Sequence, residues 1–224
     1  MFTKKEYMDI YTKVYNLCIQ QIEGFQAELY DRYTKSIASY LEREVMPRLQ
    51  DLSGEPLLVE LELRWGNHQV MVKWMRHFFQ YLDRFYVDMS SIANLTDQGF
   101  AQFKLNIFER LLGKITDAVL QQVEKDRQGE PVDTSLLKKI ISIYTYLSNE
   151  KITGNSINCL TELEGKLLTA SRAFFQQQGS KMMGNHSLVE YLTLSNKIYE
   201  EEAKRLNTYL CWPDLFGKII NEFQ

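Results

Sequence analysis

The 224-residue chain is 45% apolar and 25% charged, as in ordinary globular proteins, and its 11 glycines and 4 prolines are too few for a collagen-like, linker-like or turn-rich all-β chain. The formal net charge of −3 shows no basic excess, and no apolar run approaches the ~18 residues of a membrane span, so we expect neither nucleic-acid nor membrane partners. The three cysteines form no CxxC pair, which argues against a zinc site or a disulfide framework and favours a reducing, intracellular compartment.

Helical periodicity predicts the elements of the first half of the chain. Thr3 and Glu6 form a capping box, in which each side chain can bond the backbone amide of the other residue. Gly24 should end the first helix, and Gly129 with Pro131 should end the last helix of this half. The predicted helical segments are residues 3–23, 25–50, 57–87 with a break at 66–67, and 97–127.

The second half shows the same periodicity and a second capping box, Ser187 with Glu190. Helices are predicted over residues 135–147, 160–178, 187–210 and 214–223, with loops at 150–158 and 179–185. In the helix from residue 187 we expect an inward apolar row that includes Val189, Leu192 and Tyr199, and a solvated acidic run at residues 200–202. No segment shows the alternation of a strand, so the sequence predicts an all-α, elongated assembly of long helices.

No catalytic constellation rises above chance. The three histidines, His68, His77 and His186, form no HExxH motif or i, i+4 pair, and no Walker loop, GxGxxG or GxSxG motif is present. We therefore expect neither an enzyme nor a bound metal or cofactor.

Two features suggest an interface. Tyr7, Tyr11 and Tyr15 lie at i, i+4 and i+8 of the first helix, with Met8 beside them, and both residue types are enriched at protein interfaces. The second feature is residues 81–87, where aromatic residues surround an Asp-Arg pair. From the pattern alone, the favoured interpretation is a wide core stripe for the first feature and a packed helix end with solvated polar groups for the second.

Four blocks in register resemble the cullins, the scaffolds of multi-subunit ubiquitin ligases: residues 7–18, 64–84, 123–133 and 190–210. The resemblance is nearest to plant-type members of the cullin-one group. It implies an amino-terminal stalk of tandem multi-helix cullin repeats, with a first repeat at residues 1–130 that lacks its first helix and a second repeat at residues 131–224. It also implies a place in the cytoplasm and nucleus.

In that family the first repeat holds an adaptor of the BTB/Skp fold. The resemblance implies that a Skp-type adaptor carrying an F-box substrate receptor binds a face made of Tyr7, Met8, Tyr11, Tyr15, Asp83, Arg84 and Tyr86. The carboxy-terminal region that binds the RING subunit has no counterpart in these 224 residues, so the RING subunit is not expected to bind this chain.

The function implied is that of the scaffold stalk of an SCF-type cullin-RING ubiquitin ligase, in ubiquitin-dependent protein degradation. Two alternatives stay open. One is a truncated cullin-like protein that binds adaptors without ligase activity. The other is an unrelated helical protein, either an interaction module or an enzyme, for example a bundle with a buried metal.

Overall fold

The computed structural model describes residues 3–20, 24–90, 92–149, 152, 157–183, 187–209, 217–219 and 221, and all regular structure among them is helical. The α-helices are α1 (Lys4–Cys18), α2 (Phe25–Tyr40), α3 (Met46–Leu49), α4 (Gly54–Phe78), α5 (Gln80–Leu82), α6 (Asp88–Ser90), α7 (Leu95–Phe103), α8 (Glu109–Arg127), α9 (Thr134–Leu147), α10 (Cys159–Met183) and α11 (Leu188–Tyr209). Three π-helical turns connect some of them without a loop: π1 (Leu41–Val45), π2 (Asp83–Val87) and π3 (Lys104–Phe108). The predicted all-α class is confirmed.

The capping box at the start of α1 is present. The Glu6 amide donates to Thr3 Oγ1 at 3.3 Å, and the Thr3 amide donates to Glu6 Oε2 at 2.8 Å. The bonds that the Thr3 amide and the Thr3 hydroxyl donate to Glu6 Oε2 stabilise the carboxylate and lower the pKa of Glu6. The helix ends at Cys18, earlier than predicted, and the predicted residues 21–23 lie outside the described part.

Replacing Thr3 with alanine should destabilise the first turn of α1 by about 1 kcal/mol, because the Glu6 amide loses its acceptor. Amide hydrogen exchange in that turn should become about fivefold faster. Thr12→Ala is the matched control, since Thr12 is exposed in the middle of the same helix, and it should not accelerate exchange. Unchanged exchange in Thr3→Ala would show that tertiary contacts alone hold the start of the helix.

The predicted helix break at residues 66–67 is wrong. Helix α4 runs without interruption from Gly54 to Phe78, because its buried residues on both sides of Gly66 are fixed in the core, and tertiary packing outweighs the low helix propensity of one glycine. The interruption comes at Phe79, whose φ of −100° and ψ of 17° depart from helical values. Similarly, α10 continues past Gly179 to Met183, so the predicted loop is helical over residues 179–183.

The chain forms two compact units. Unit 1 comprises Met1–Leu52, Glu60–Leu112 and Leu147–Ile157, and unit 2 comprises Ser53–Val59, Gly113–Tyr146 and Asn158–Gln224. The predicted repeat boundary between residues 130 and 131 stays a prediction.

In unit 1, α7 packs closely against α2 and α4. The Tyr33 hydroxyl donates to the Leu95 carbonyl at 2.9 Å, and His68 Nε2 donates to the Gly99 carbonyl at the same distance. A Cβ placed on Gly99 would lie 2.9 Å from a methyl carbon of Val72, so the absence of a side chain permits this close approach.

In unit 2, the predicted orientation of α11 is wrong. Val189 and Leu192 are 73% and 54% exposed, and Tyr199 is also exposed, whereas Glu202 of the predicted solvated run is only 1% exposed. The reason is electrostatic: the Glu202 carboxylate accepts hydrogen bonds from Arg127 on α8, with Nη2 2.6 Å from Oε1. A buried ion pair therefore determines which face of the end of α11 turns inward.

Candidate functional site

The three tyrosines of α1 form a row within unit 1. The rings of Tyr7, Tyr11 and Tyr15 follow one another at centroid distances of 6.2 and 6.4 Å, with planes 14° and 19° apart. This is the i, i+4 stacking that the sequence spacing predicts for one helix face.

The row also packs against the neighbouring helices. The Tyr7 ring lies 5.5 Å from Phe78 on α4, and the Tyr15 ring meets the edge of Tyr81 on α5 at 5.0 Å. Tyr7 and Tyr11 are half-buried, and Tyr15 is 37% exposed. The core interpretation and the interface interpretation of this helix face therefore both hold in part, because each ring is partly in contact with its neighbours and partly in solvent.

The buried residues of α1 lie on the same face as part of the row. Val14 and Cys18 are buried and follow Tyr7 and Tyr11 by seven residues, or two helical turns, whereas Met8 is 50% exposed. Tyr7 and Tyr11 therefore border the core, while Met8 and Tyr15 lie toward solvent.

The second predicted patch lies on the π2 turn, and its residues have different roles. Asp83 Oδ1 accepts a hydrogen bond from the Leu95 amide at 2.9 Å, so its carboxylate stabilises the first turn of α7. Tyr86 is half-buried, with its ring 6.4 Å from the Tyr30 ring. Arg84 is exposed, and its guanidinium lies 5.5 Å from the centroid of the Phe85 ring.

Phe85 is the residue that sequence reasoning missed. It is 46% exposed, and its ring lies 4.4 Å from Tyr81, which in turn contacts Tyr15. Phe85 thus extends the tyrosine row of α1 onto the π2 turn. The aromatic density of residues 81–87 was the available signal, but the π turn rotates side chains away from the positions that a regular α-helix would give.

We call the partly exposed set of Met8, Tyr7, Tyr11, Tyr15, Arg84 and Phe85 the aromatic face. A groove of about 570 Å³ lies beside its π2 end, lined by Arg76, His77, Gln80, Asp83, Arg84 and Asp88. The groove carries both positive and negative side chains, and the face itself has large apolar side chains with polar tips. Such a combination suits recognition of another protein.

Within the described ranges, no three His, Cys, Asp or Glu residues are close enough together to hold a metal ion. Likewise, none of the helices in that part of the chain has both the length and the apolar character needed to cross a bilayer.

The model of the cullin alpha solenoid domain matches residues 1–219 of this chain. The chain belongs to the cullin family. It is 33% identical to Cullin-2 of Arabidopsis thaliana over 229 residues, which cover 99% of this chain and 30% of that protein. It is 35% identical to Cullin-1 of rice over 144 residues, or 64% of this chain and 19% of that protein.

A third relative differs in coverage. Cullin-like protein 3 of Arabidopsis thaliana is 23% identical over 209 residues, which cover 93% of this chain and 79% of that protein. The chain therefore spans less than a third of the length of Cullin-2 but most of the length of a cullin-like protein. The predicted family is confirmed, whereas the seven predicted adaptor contacts stay a prediction.

Proposed function

We propose that this chain is a scaffold arm of a cullin-RING ubiquitin ligase and that it binds a Skp-type adaptor, which carries the F-box substrate receptor, through the aromatic face. Membership of the cullin family supports the general role. In this proposal the chain performs no chemistry itself and acts in the cytoplasm and nucleus by holding the adaptor in place.

The proposal rests on one observation: a continuous row of partly exposed, mostly aromatic side chains runs from α1 to the π2 turn. Met8, Tyr15 and Phe85 are 50%, 37% and 46% exposed, and contacts between rings join the α1 row to π2 through Tyr81. Large apolar groups that are partly exposed to solvent favour association with another protein surface. Rigid aromatic side chains are also the typical anchors of protein interfaces.

The proposed contacts are the residues of the aromatic face. Met8, Tyr7, Tyr11, Tyr15, Arg84 and Phe85 would touch the adaptor, because all six reach solvent at least in part. Asp83 and Tyr86 would act as positioning residues, since the first fixes the start of α7 and the second packs near Tyr30.

Tyr11→Ala should weaken adaptor binding by about 2 kcal/mol, roughly thirtyfold in dissociation constant, because Tyr11 is the central ring of the row. Phe85→Ala should weaken it to a similar extent. The dissociation constant is measured by isothermal titration calorimetry of the purified chain with a plant Skp-type adaptor. The melting temperature of each variant is measured as well.

Tyr40→Ala is the matched control, because Tyr40 is an exposed tyrosine on α2 outside the aromatic face. It should leave binding unchanged. If Tyr11→Ala loses melting temperature in proportion to affinity, Tyr11 is a core residue and the proposed contact is wrong. If neither Tyr11→Ala nor Phe85→Ala alters affinity, the aromatic face is not the adaptor site.

The coverage of Cullin-like protein 3 favours a second candidate, an adaptor-binding protein without ligase activity. Such a protein would compete with a complete cullin for the adaptor. The distinguishing experiment adds the purified chain to a reconstituted cullin-RING ligase and follows ubiquitin transfer to a substrate. Inhibition that the Tyr11→Ala variant relieves would support the competitor, whereas stimulation or no effect would contradict it.

A further inference from the structure

Helix α4 carries an uncovered apolar stripe on the part of the helix that belongs to unit 1. Leu63, Gly66 and Val70 follow the i, i+3, i+7 spacing of one helix face, and we call them the α4 stripe. Leu63 is 48% exposed and Val70 is 56% exposed. The core side of the same helix is formed instead by buried residues such as Trp65 and Val72.

The glycine at the centre of the stripe has no packing function within the described part of the chain. Gly66 lies in the interior of a 25-residue helix, where glycine is less favourable than alanine by about 1 kcal/mol. A Cβ built on Gly66 would meet nothing within 4 Å. Packing within the described part of unit 1 therefore does not require a residue without a side chain at this position. A glycine on an open helix face also lets another backbone approach closely from outside.

Charged residues flank the stripe in a self-complementary arrangement. Glu62 and Lys73 lie on the same side of it, because 11 residues correspond to almost exactly three helical turns. Glu62 and Lys73 lie on opposite sides of the centre between Gly66 and Asn67, at roughly 7 and 10 Å along the helix axis. If two such helices pack antiparallel about that centre, Glu62 of each copy lies within about 3 Å, along the axis, of Lys73 of the other, an offset that the two long side chains can span.

We propose that the α4 stripe is a dimer interface, with a second copy of this chain as its occupant. The twofold axis passes between Gly66 and Asn67, so Leu63 of one copy packs against Val70 of the partner subunit. Contacts of this kind are isologous and occur twice, which makes one favourable residue pair count double. The proposal is independent of adaptor binding, because none of its residues belongs to the aromatic face.

The first experiment measures the mass of the wild-type chain in solution by light scattering, over a range of concentrations. We expect twice the 26.4 kDa of one chain at the higher concentrations. Val70→Glu should give the monomer mass with an unchanged helical spectrum. Leu17→Glu is the control, because Leu17 is a 39% exposed leucine on α1, and this variant should remain a dimer.

Gly66→Leu gives a readout that a purely structural role would not produce. Leucine is the better helix former, so the melting temperature of the monomer should rise, while its side chain would separate the two helices and abolish the dimer. Lys73→Glu places like charges together at both ends of the interface and should raise the dimer dissociation constant about tenfold or more. Combining it with Glu62→Lys restores opposite charges and should restore the dimer.

A wild-type chain that is monomeric at every concentration would overturn the proposal. So would a dimer that survives both Val70→Glu and Gly66→Leu, or one that Leu17→Glu dissociates equally well. If Val70→Glu fails to fold, the two charge variants decide. If the double variant Glu62→Lys with Lys73→Glu dissociates as readily as Lys73→Glu alone, the antiparallel arrangement is wrong.

Discussion

Replacing Arg127 with alanine should destabilise the chain by about 3–5 kcal/mol, the range seen when one partner of a buried ion pair is removed. The Arg127 and Glu202 side chains are 2% and 1% exposed, and Arg127 Nη2 also donates to Ser171 Oγ at 2.7 Å. Without the guanidinium, the buried Glu202 carboxylate would lose its closest partner and keep the weaker contact with Arg205, whose Nη1 lies 3.3 Å from Oε2. The measurement is denaturant unfolding followed by circular dichroism.

The surrounding contacts show why this one residue matters. The Arg127 guanidinium lies 4.6 Å from the centroid of the Phe174 ring, which provides a cation–π contact as well. Arg127 thus links three helices of unit 2: its own α8, α10 through Ser171 and Phe174, and α11 through Glu202.

A double replacement tests whether the lost energy comes from an uncompensated charge. Arg127→Met with Glu202→Leu removes both charges at similar volume and should recover most of the stability that Arg127→Ala loses. Arg110→Ala is the control, because its ion pair with Glu42 is exposed, and it should cost less than about 1 kcal/mol. A loss of that small size in Arg127→Ala would mean that water or another cation replaces the guanidinium.

Acidification from about pH 7 to about pH 4 should lower the free energy of unfolding by about 3 kcal/mol through His68 alone. Burial lowers the pKa of His68 to about 4 from its usual 6.5, and the hydrogen bond to the Gly99 carbonyl opposes this shift only in part. The unfolded chain therefore takes up a proton below pH 6.5, whereas the folded chain does so only near pH 4. Stability falls over that window and is fully present above it.

The measurement is chemical denaturation at a series of pH values within that window. His68→Gln should be less stable near pH 7, because the ring is buried between aromatic residues, yet its stability should fall less steeply with acid. His77→Gln is the control, since His77 is exposed, and its pH slope should match that of the wild type. An equal slope in His68→Gln would assign the acid sensitivity to carboxylates instead.

Much of the helical framework could be predicted because its signals are local. The capping boxes at Thr3 and Ser187 involve residues three positions apart, and both are formed as expected. The stop after α8 depends on Gly129, whose φ of 79° favours glycine. Such features need no knowledge of the rest of the chain.

The failures have a common origin in contacts between distant residues. Glu202 was predicted to be solvated because three consecutive glutamates normally face water, but Arg127 lies 75 positions earlier and no periodicity reveals the pairing. The bond between the Leu95 amide and the Asp83 carboxylate was not predicted, because it depends on how the chain turns between π2 and α7. The tyrosine row was predictable as a row, whereas its partial exposure depends on where α4 and α5 lie.

The π turns also determine where these helices can change length. A π turn holds one more residue than an α-helix needs for the same rise, so a single deletion there leaves a regular helix and keeps the register on both sides. Among the described residues of unit 1, the segments Leu41–Val45, Asp83–Val87 and Lys104–Phe108 can each absorb such a change. A one-residue gap in an alignment at these positions would therefore mark the interior of a continuous helix, although gaps are usually assigned to loops.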